Sequence, residues 1–172
     1  MPLQIISLAQ LKYGYTGANV DRPRVFELIA RTVFEYHTVN VWGKHAEGGS
    51  CRAAAMKVGA EPIFGRSVFK ERHAEEEVVQ KIQKAGWNGI FDYMYVDIEP
   101  CHSGRYQGHD CKGLLWNTFD SGKVFYAFDQ DYYEKGLNGL FRGNDVQTQI
   151  QELQRMAGWE PEYIPLGRKH IK

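Results

Sequence analysis

Cysteine is scarce in this chain, and its count is odd: Cys51, Cys101 and Cys111 are the three thiols among 172 residues. An odd number of thiols argues against a disulfide framework and leaves metal binding or plain burial as their uses. An excess of one charge is also lacking, because 21 basic residues meet 21 acidic ones. That balance excludes a globally basic nucleic-acid binder but leaves room for a local basic strip. No run approaches the roughly 18 apolar residues that span a bilayer, so no membrane partner is expected. No basic segment followed by an apolar one opens the chain, and no signal peptide is expected. Action in the cytoplasm is the simplest expectation, although a domain cut from a longer exported protein would look the same. Repeats, low-complexity runs and linkers are absent as well.

What is present suits one domain over residues 1–172 with one core. Hydrophobic residues make up 43% and charged residues 24%, ordinary values for a globular protein. Ten Tyr and nine Phe are more aromatic surface than a core demands, and aromatics also stack on bases.

Residues 3–9 read as a short strand. Asp21 and Pro23 mark a helix start, and Val25, Leu28, Ile29, Val33 and Phe34 recur at helical spacing, so a helix is expected over 22–36. Residues 38–42 and 51–58 read as a strand and its return, with a turn at Glu47-Gly48-Gly49. A loop over 59–70 leads to a helix over 73–85, stopped by Gly86. A strand over 91–98, a loop over 99–110, a short helix over 111–119 and a strand over 123–129 follow. A Gly- and Asn-rich connection over 131–143 precedes a helix carrying Val146, Ile150, Leu153 and Met156, closed by Gly158. A last short strand is expected at 163–166.

Strands separated by helices imply parallel neighbours, because a parallel pair needs a long crossover. The fold class is therefore α/β, a three-layer α/β/α arrangement around a mixed sheet of about five strands. The strands near 126 and 164, joined by a helix, are expected to be parallel.

The chemistry lies in His73-Ala74-Glu75, Glu99-Pro100-Cys101 and Cys111. One His and two Cys are enough to hold a catalytic zinc while leaving its fourth position for water, and a neighbouring Glu can move that water's proton. His73 and Glu75 fall at the start of one helix, Cys111 at the start of another, and Cys101 just after a strand end. Two helix N-termini facing one point favour thiolates. A second His-x-Glu, at His45-Ala46-Glu47, precedes Gly48-Gly49 and reads as a solvated turn. Glu76 and Glu77 read as a solvated acidic helix start, and Cys51 as core.

The pattern His73-Ala74-Glu75, Glu99-Pro100-Cys101, Cys111 resembles the cytidine deaminase superfamily, over nearly the whole chain. By that resemblance His73, Cys101 and Cys111 would bind zinc, and Glu75 would carry the proton from water to the base and then to the leaving amine. The backbone N–H of Ala74 would meet the substrate carbonyl. The usual spacing in that superfamily is Cys-x-x-Cys, whereas here nine residues, His102 to Asp110, intervene. Riboflavin-pathway pyrimidine deaminases carry a similar insert, and some bacterial toxin deaminases show a Ser-Gly and a His-Asp-Cys in theirs. His102 or His109 could chemically replace Cys111, since neutral imidazole is a good zinc ligand.

Substrate candidates are Tyr106, Phe69, Phe128 and Tyr132 for stacking on a base. For phosphates they are Arg66, Lys70, Arg72, Arg105, Lys112 and the tail Arg168, Lys169, His170 and Lys172. Asn40 is the nearest stand-in for the Asn with which nucleic-acid relatives hold the base. A parallel final strand pair resembles the branch containing nucleic-acid and riboflavin-pathway deaminases. The Gly that riboflavin-type enzymes carry shortly before His-Ala-Glu is replaced by Phe69-Lys70-Glu71-Arg72. The expectation is thus a zinc-dependent deaminase that converts cytosine to uracil in single-stranded nucleic acid, with DNA preferred, and resembles a toxin domain. If it is the delivered domain of a secreted effector, an immunity protein is its expected partner. Two alternatives stand beside it. One is a deaminase of a free pyrimidine nucleotide or riboflavin precursor. The other is a non-catalytic zinc module with four protein ligands, His102 or His109 being the fourth.

Overall fold

The computed structural model describes residues 2–14, 19–36, 51–67, 72–101, 110–129 and 146–159. Strand β1 (Gln4–Ser7) runs into a short helix α1 (Leu8–Lys12), where the sequence suggested strand to residue 9. The cause is Ser7-x-x-Gln10: Ser7 Oγ accepts from the Gln10 N–H at 3.1 Å, and Gln10 Oε1 accepts from the Ser7 N–H at 2.8 Å. This reciprocal capping box starts a helix wherever it satisfies the first orphan donors.

Helix α2 (Arg22–Glu35) is capped by Asp21 and buries Val25, Phe26, Leu28, Ile29 and Val33, as its periodicity implies. Strand β2 (Arg52–Met56) is buried along its whole length. Strand β3 (Ile63–Arg66) pairs antiparallel with it, where a loop was expected. The hairpin expected between 38–42 and 51–58 falls partly outside the described residues, and the described partners of β2 are β3 and β4. Helix α3 (Ala74–Lys84), strand β4 (Tyr93–Ile98), helix α4 (Cys111–Thr118), strand β5 (Lys123–Phe128) and helix α5 (Val146–Met156) follow within two residues of their expected starts. Gly158, at φ +88°, ends the turn after α5.

Among the described residues the sheet has five strands in the order β1-β5-β4-β2-β3. β1, β5 and β4 are mutually parallel, and β2 is antiparallel to both its neighbours. The α/β class and the mixed sheet are as expected. The strand suggested at 163–166 lies outside the described residues, and β1 supplies the strand beside β5.

Three consecutive alanines, Ala53 to Ala55, make β2 thin enough for helices to approach both of its faces. Helix α2 packs on β2 and β4, and α3 packs on β2 and β3. Side chains alternate across a strand, and Arg52 reaches Gln149 on α5, which packs with α2. Helices α2 and α5 therefore cover one face, and α3 covers the other together with α4, which packs against it.

A buried polar cluster crosses this core. The Arg52 guanidinium donates to Asp97 Oδ2 at 2.8 Å and to Gln149 Oε1 at 2.8 Å, and Tyr95 Oη donates to Asp97 Oδ1 at 2.6 Å. Arg52 and Asp97 are both fully buried. The pair has good geometry and extra hydrogen bonds, the conditions under which a buried ion pair is tolerated. Among the described residues no helix is long and apolar enough to cross a membrane.

Candidate active site

The carboxyl ends of β4 and β5 and the amino end of β2 share one edge of the sheet, because β2 runs against its neighbour β4. In open α/β sheets that edge is where ligands collect. Glu99, Pro100 and Cys101 leave β4 there. Helices α3 and α4 both begin there, so their positive ends converge on it.

His73 is the N-cap of α3, with extended backbone. Its N–H donates to Glu76 Oε1 at 2.6 Å, so Glu76 secures the helix start and is not the solvated residue the sequence suggested. Glu77 is committed too: Oε1 accepts from the Arg66 N–H at 2.9 Å, and Oε2 pairs with Arg72 at 2.8 Å. The first turn of α3 is therefore tied to the end of β3. Gly65 makes this approach possible, since a Cβ there would stand 2.8 Å from the Ala74 carbonyl oxygen and 2.9 Å from Val78. Asp110 caps α4 by accepting from the Gly113 N–H at 2.9 Å, which sets Cys111 in the first turn.

These elements bring three donors together. His73 Nδ1 lies 3.2 Å from Cys111 Sγ and 3.4 Å from Cys101 Sγ, and the three ligand atoms lie within 4.8 Å of one another. Tetrahedral zinc, with Zn–S near 2.3 Å and Zn–N near 2.0 Å, separates its ligands by roughly 3.5–3.8 Å. The donor set and its spacing therefore fit zinc. Both thiols are buried, as a dry metal site requires. No other described His, Cys, Asp or Glu joins the cluster. His102 and His109 lie outside the described residues, as does the second motif at 45–47.

Without metal, the two thiols and the imidazole share too few protons to be independent. The hydrogen bond from Cys111, with His73 beside it, pulls Cys101 down to about 4. The same bond and burial push Cys111 far above the ordinary thiol range. One thiolate is thus already favoured, and a cation that takes both sulfurs displaces the remaining proton.

Glu75 is 4% exposed and sits in the first turn of α3, two residues from His73. Burial raises its carboxyl to about 7, opposed by a backbone hydrogen bond and by His73. A carboxyl poised near neutrality can both take and release a proton. Ala74 is fully buried as the first residue of α3, where a backbone N–H has no partner inside the helix.

Of the substrate candidates, Lys112 is described and pairs with Glu99 at 3.0 Å. Phe128 is 4% exposed and belongs to the core, so it presents no stacking face. Arg72 is held by Glu77. Asn40, Phe69, Arg105, Tyr106 and Tyr132 lie outside the described residues, as do Lys70 and the basic tail.

Cys51 is buried, as expected, but at the end of the core that adjoins the site. Since Arg52 points toward α5, alternation sends Cys51 to the α3 face. Burial pushes its thiol up, and the charge of Glu75 adds to that effect. Residue 51, read from the sequence as the first of the strand over 51–58, immediately precedes β2, at the sheet edge that carries the site.

No protein-family model matches the chain, and neither does the sequence of any curated protein. One similar solved structure is a diaminohydroxyphosphoribosylaminopyrimidine deaminase/5-amino-6-(5-phosphoribosylamino)uracil reductase from Thermotoga maritima. The two are 17% identical, with a TM-score of 0.49 over 78% of this chain and 39% of that one. This chain thus spans well under half the length of that protein.

Proposed function

We propose that this protein is a zinc-dependent deaminase that hydrolyses cytosine to uracil in single-stranded nucleic acid, with DNA as the preferred polymer. The observation that carries the reading is the convergence of His73, Cys101 and Cys111 within 4.8 Å beside the buried Glu75. These are the residues that the resemblance to the cytidine deaminase superfamily singles out, and they come from three separate elements.

Bound zinc would lower the pKa of a water molecule and so supply a nucleophile at neutral pH. The chain's own residues do the rest. Glu75 would take one proton from that water and deliver it to the ring nitrogen of the base, and would then move the second, from the hydroxyl added at C4, to the departing amine. The Ala74 N–H, at a positive helix end, holds the carbonyl of the pyrimidine. Burial of Cys101, Cys111 and Glu75 excludes bulk water, so these groups act at low dielectric. The net change is addition of water at C4 and loss of ammonia.

The polymer substrate rests on the likeness of the His102–Asp110 insert to those of toxin deaminases, and on the aromatic and basic residues of that loop. A toxin role, with an immunity protein as partner, belongs to the same reading. The test is to incubate the zinc-loaded protein separately with single-stranded DNA, RNA and cytidine mononucleotides and to assay each for uracil. Uracil in DNA is the expected result. Conversion of mononucleotides alone would overturn the polymer reading.

A further inference from the structure

Glu99 stands two residues before Cys101, and Lys112 stands immediately after Cys111. Their side chains meet, with Lys112 Nζ 3.0 Å from Glu99 Oε2. Two backbone contacts run beside this ion pair. The Lys112 N–H donates to the Cys101 carbonyl at 2.8 Å, and the Cys111 N–H points at Cys101 Sγ at 3.4 Å. Glu99 is itself fixed to the sheet, since its N–H donates to the Phe128 carbonyl at the end of β5 at 2.7 Å. The chain leaves β4, crosses residues 102–109 and returns through one short, closed neck.

We propose that Glu99 and Lys112 are a positioning pair that closes this neck and thereby sets how tightly His73, Cys101 and Cys111 hold their metal. The inference rests on the zinc-binding part of the proposed function and needs nothing from the deamination part. It explains how nine residues can separate two ligands of one ion: the neck holds Cys101 against Cys111. It also gives Lys112 a task different from touching phosphate. An ammonium at 32% exposure that already pairs with a carboxylate at 21% would have to break that pair to reach a substrate.

The test reads zinc, not uracil. Zinc affinity and the rate of zinc release to a chromophoric chelator would be measured for the wild type, Lys112→Met, Glu99→Gln, Lys112→Arg and the reversed pair Glu99→Lys/Lys112→Glu. Groups that orient metal ligands typically change affinity by about ten- to a hundredfold when removed. Lys112→Met and Glu99→Gln are expected to weaken zinc binding to that extent and to speed its release. Lys112→Arg and the reversed pair are expected to restore most of the affinity, which a general loss of packing would not allow. Thermal midpoints of the metal-free proteins are expected to stay together. If one single variant fails to fold, the other and the reversed pair still decide.

Wild-type affinity in both single variants would overturn the proposal while leaving the zinc site intact. A second arm measures binding of a fluorescent single-stranded oligonucleotide to the zinc-loaded proteins. Weaker oligonucleotide binding by Lys112→Met with unchanged zinc affinity would overturn the positioning role and make Lys112 a phosphate contact. A wild-type protein that binds no zinc would remove the metal reading itself.

Discussion

His73 Nδ1 and Cys111 Sγ lie 3.2 Å apart although 38 positions separate them in the chain. One belongs to the cap of α3 and the other to the first turn of α4, and neither helix end is close to the other in sequence. Cys111→Ser exchanges a soft thiolate for a hydroxyl that stays protonated at neutral pH. The purified variant is expected to carry substoichiometric zinc by elemental analysis. Zinc bound unchanged would show that His102 or His109 completes the ligand set instead.

In the proposed mechanism Glu75 contributes a proton path and no ligand atom, so its removal separates chemistry from metal binding. Glu75→Gln keeps the size of the side chain and deletes the titrating group. Zinc content and thermal midpoint should remain near wild type, while deamination falls by roughly a hundred- to ten-thousandfold, the usual worth of a general acid–base group. Activity retained in Glu75→Gln would take Glu75 out of the mechanism.

The cluster of His73, Cys101 and Cys111 was legible because its residues sit at element boundaries that leave local marks. Helix formers and an acidic first turn identify the start of α3, and Asp110 marks the start of α4. Strand β3 was not legible: Ile63-Phe64-Gly65-Arg66 is four residues long and contains a glycine, which reads as loop until β2 is there to pair with it. The capping box at Ser7 was present in the sequence, yet a run of apolar residues hid it. The commitment of Glu77 depends on a partner brought by folding, Arg66 N, and no local pattern encodes it; that of Glu76 is local, since the third residue of the helix reaches back to the His73 N–H as a capping Glu does, and its acidic neighbours hid it. Nor does any pattern mark the Arg52–Asp97 pair, because a lone Arg beside alanines looks like an exposed strand end until Asp97 arrives 45 positions later.

That pair gives a stability prediction. Asp97 accepts from the backbone N–H and the guanidinium of Arg52 and from Tyr95. Asp97→Ala would strand a fully buried guanidinium, and breaking a buried pair in this way costs about 3–5 kcal/mol. Urea unfolding should show a loss of that size. A loss below about 1 kcal/mol, the typical worth of an exposed pair, would mean that the cluster is hydrated.

Tyr36 gives the alkaline limb. Burial, reinforced by Glu77 and Glu35, raises its phenol from the usual 10.0 to about 12. Below pH 10 the phenol is protonated in both the folded and unfolded chains. Between 10 and 12 the unfolded chain releases that proton and the folded chain does not, so stability falls as pH rises. Thermal midpoints of Tyr36→Phe should fall less steeply across this window than those of the wild type. Parallel curves would mean that Tyr36 titrates normally.

Gly65 links the sheet to the candidate metal site through a single missing methyl group. A Cβ at this position would press on the Ala74 carbonyl oxygen, which is backbone and cannot swing aside, and on Val78. Gly65→Ala must therefore push the first turn of α3 away from β3, and His73 and Glu75 ride on that turn. Overpacking of this kind costs about 1–3 kcal/mol, and the displacement should also loosen zinc, because His73 moves while Cys101 and Cys111 stay with β4 and α4. The expected result is a lower thermal midpoint together with faster zinc release to a chelator. A destabilised variant that releases zinc at the wild-type rate would show that the ligand cluster does not depend on how α3 is seated.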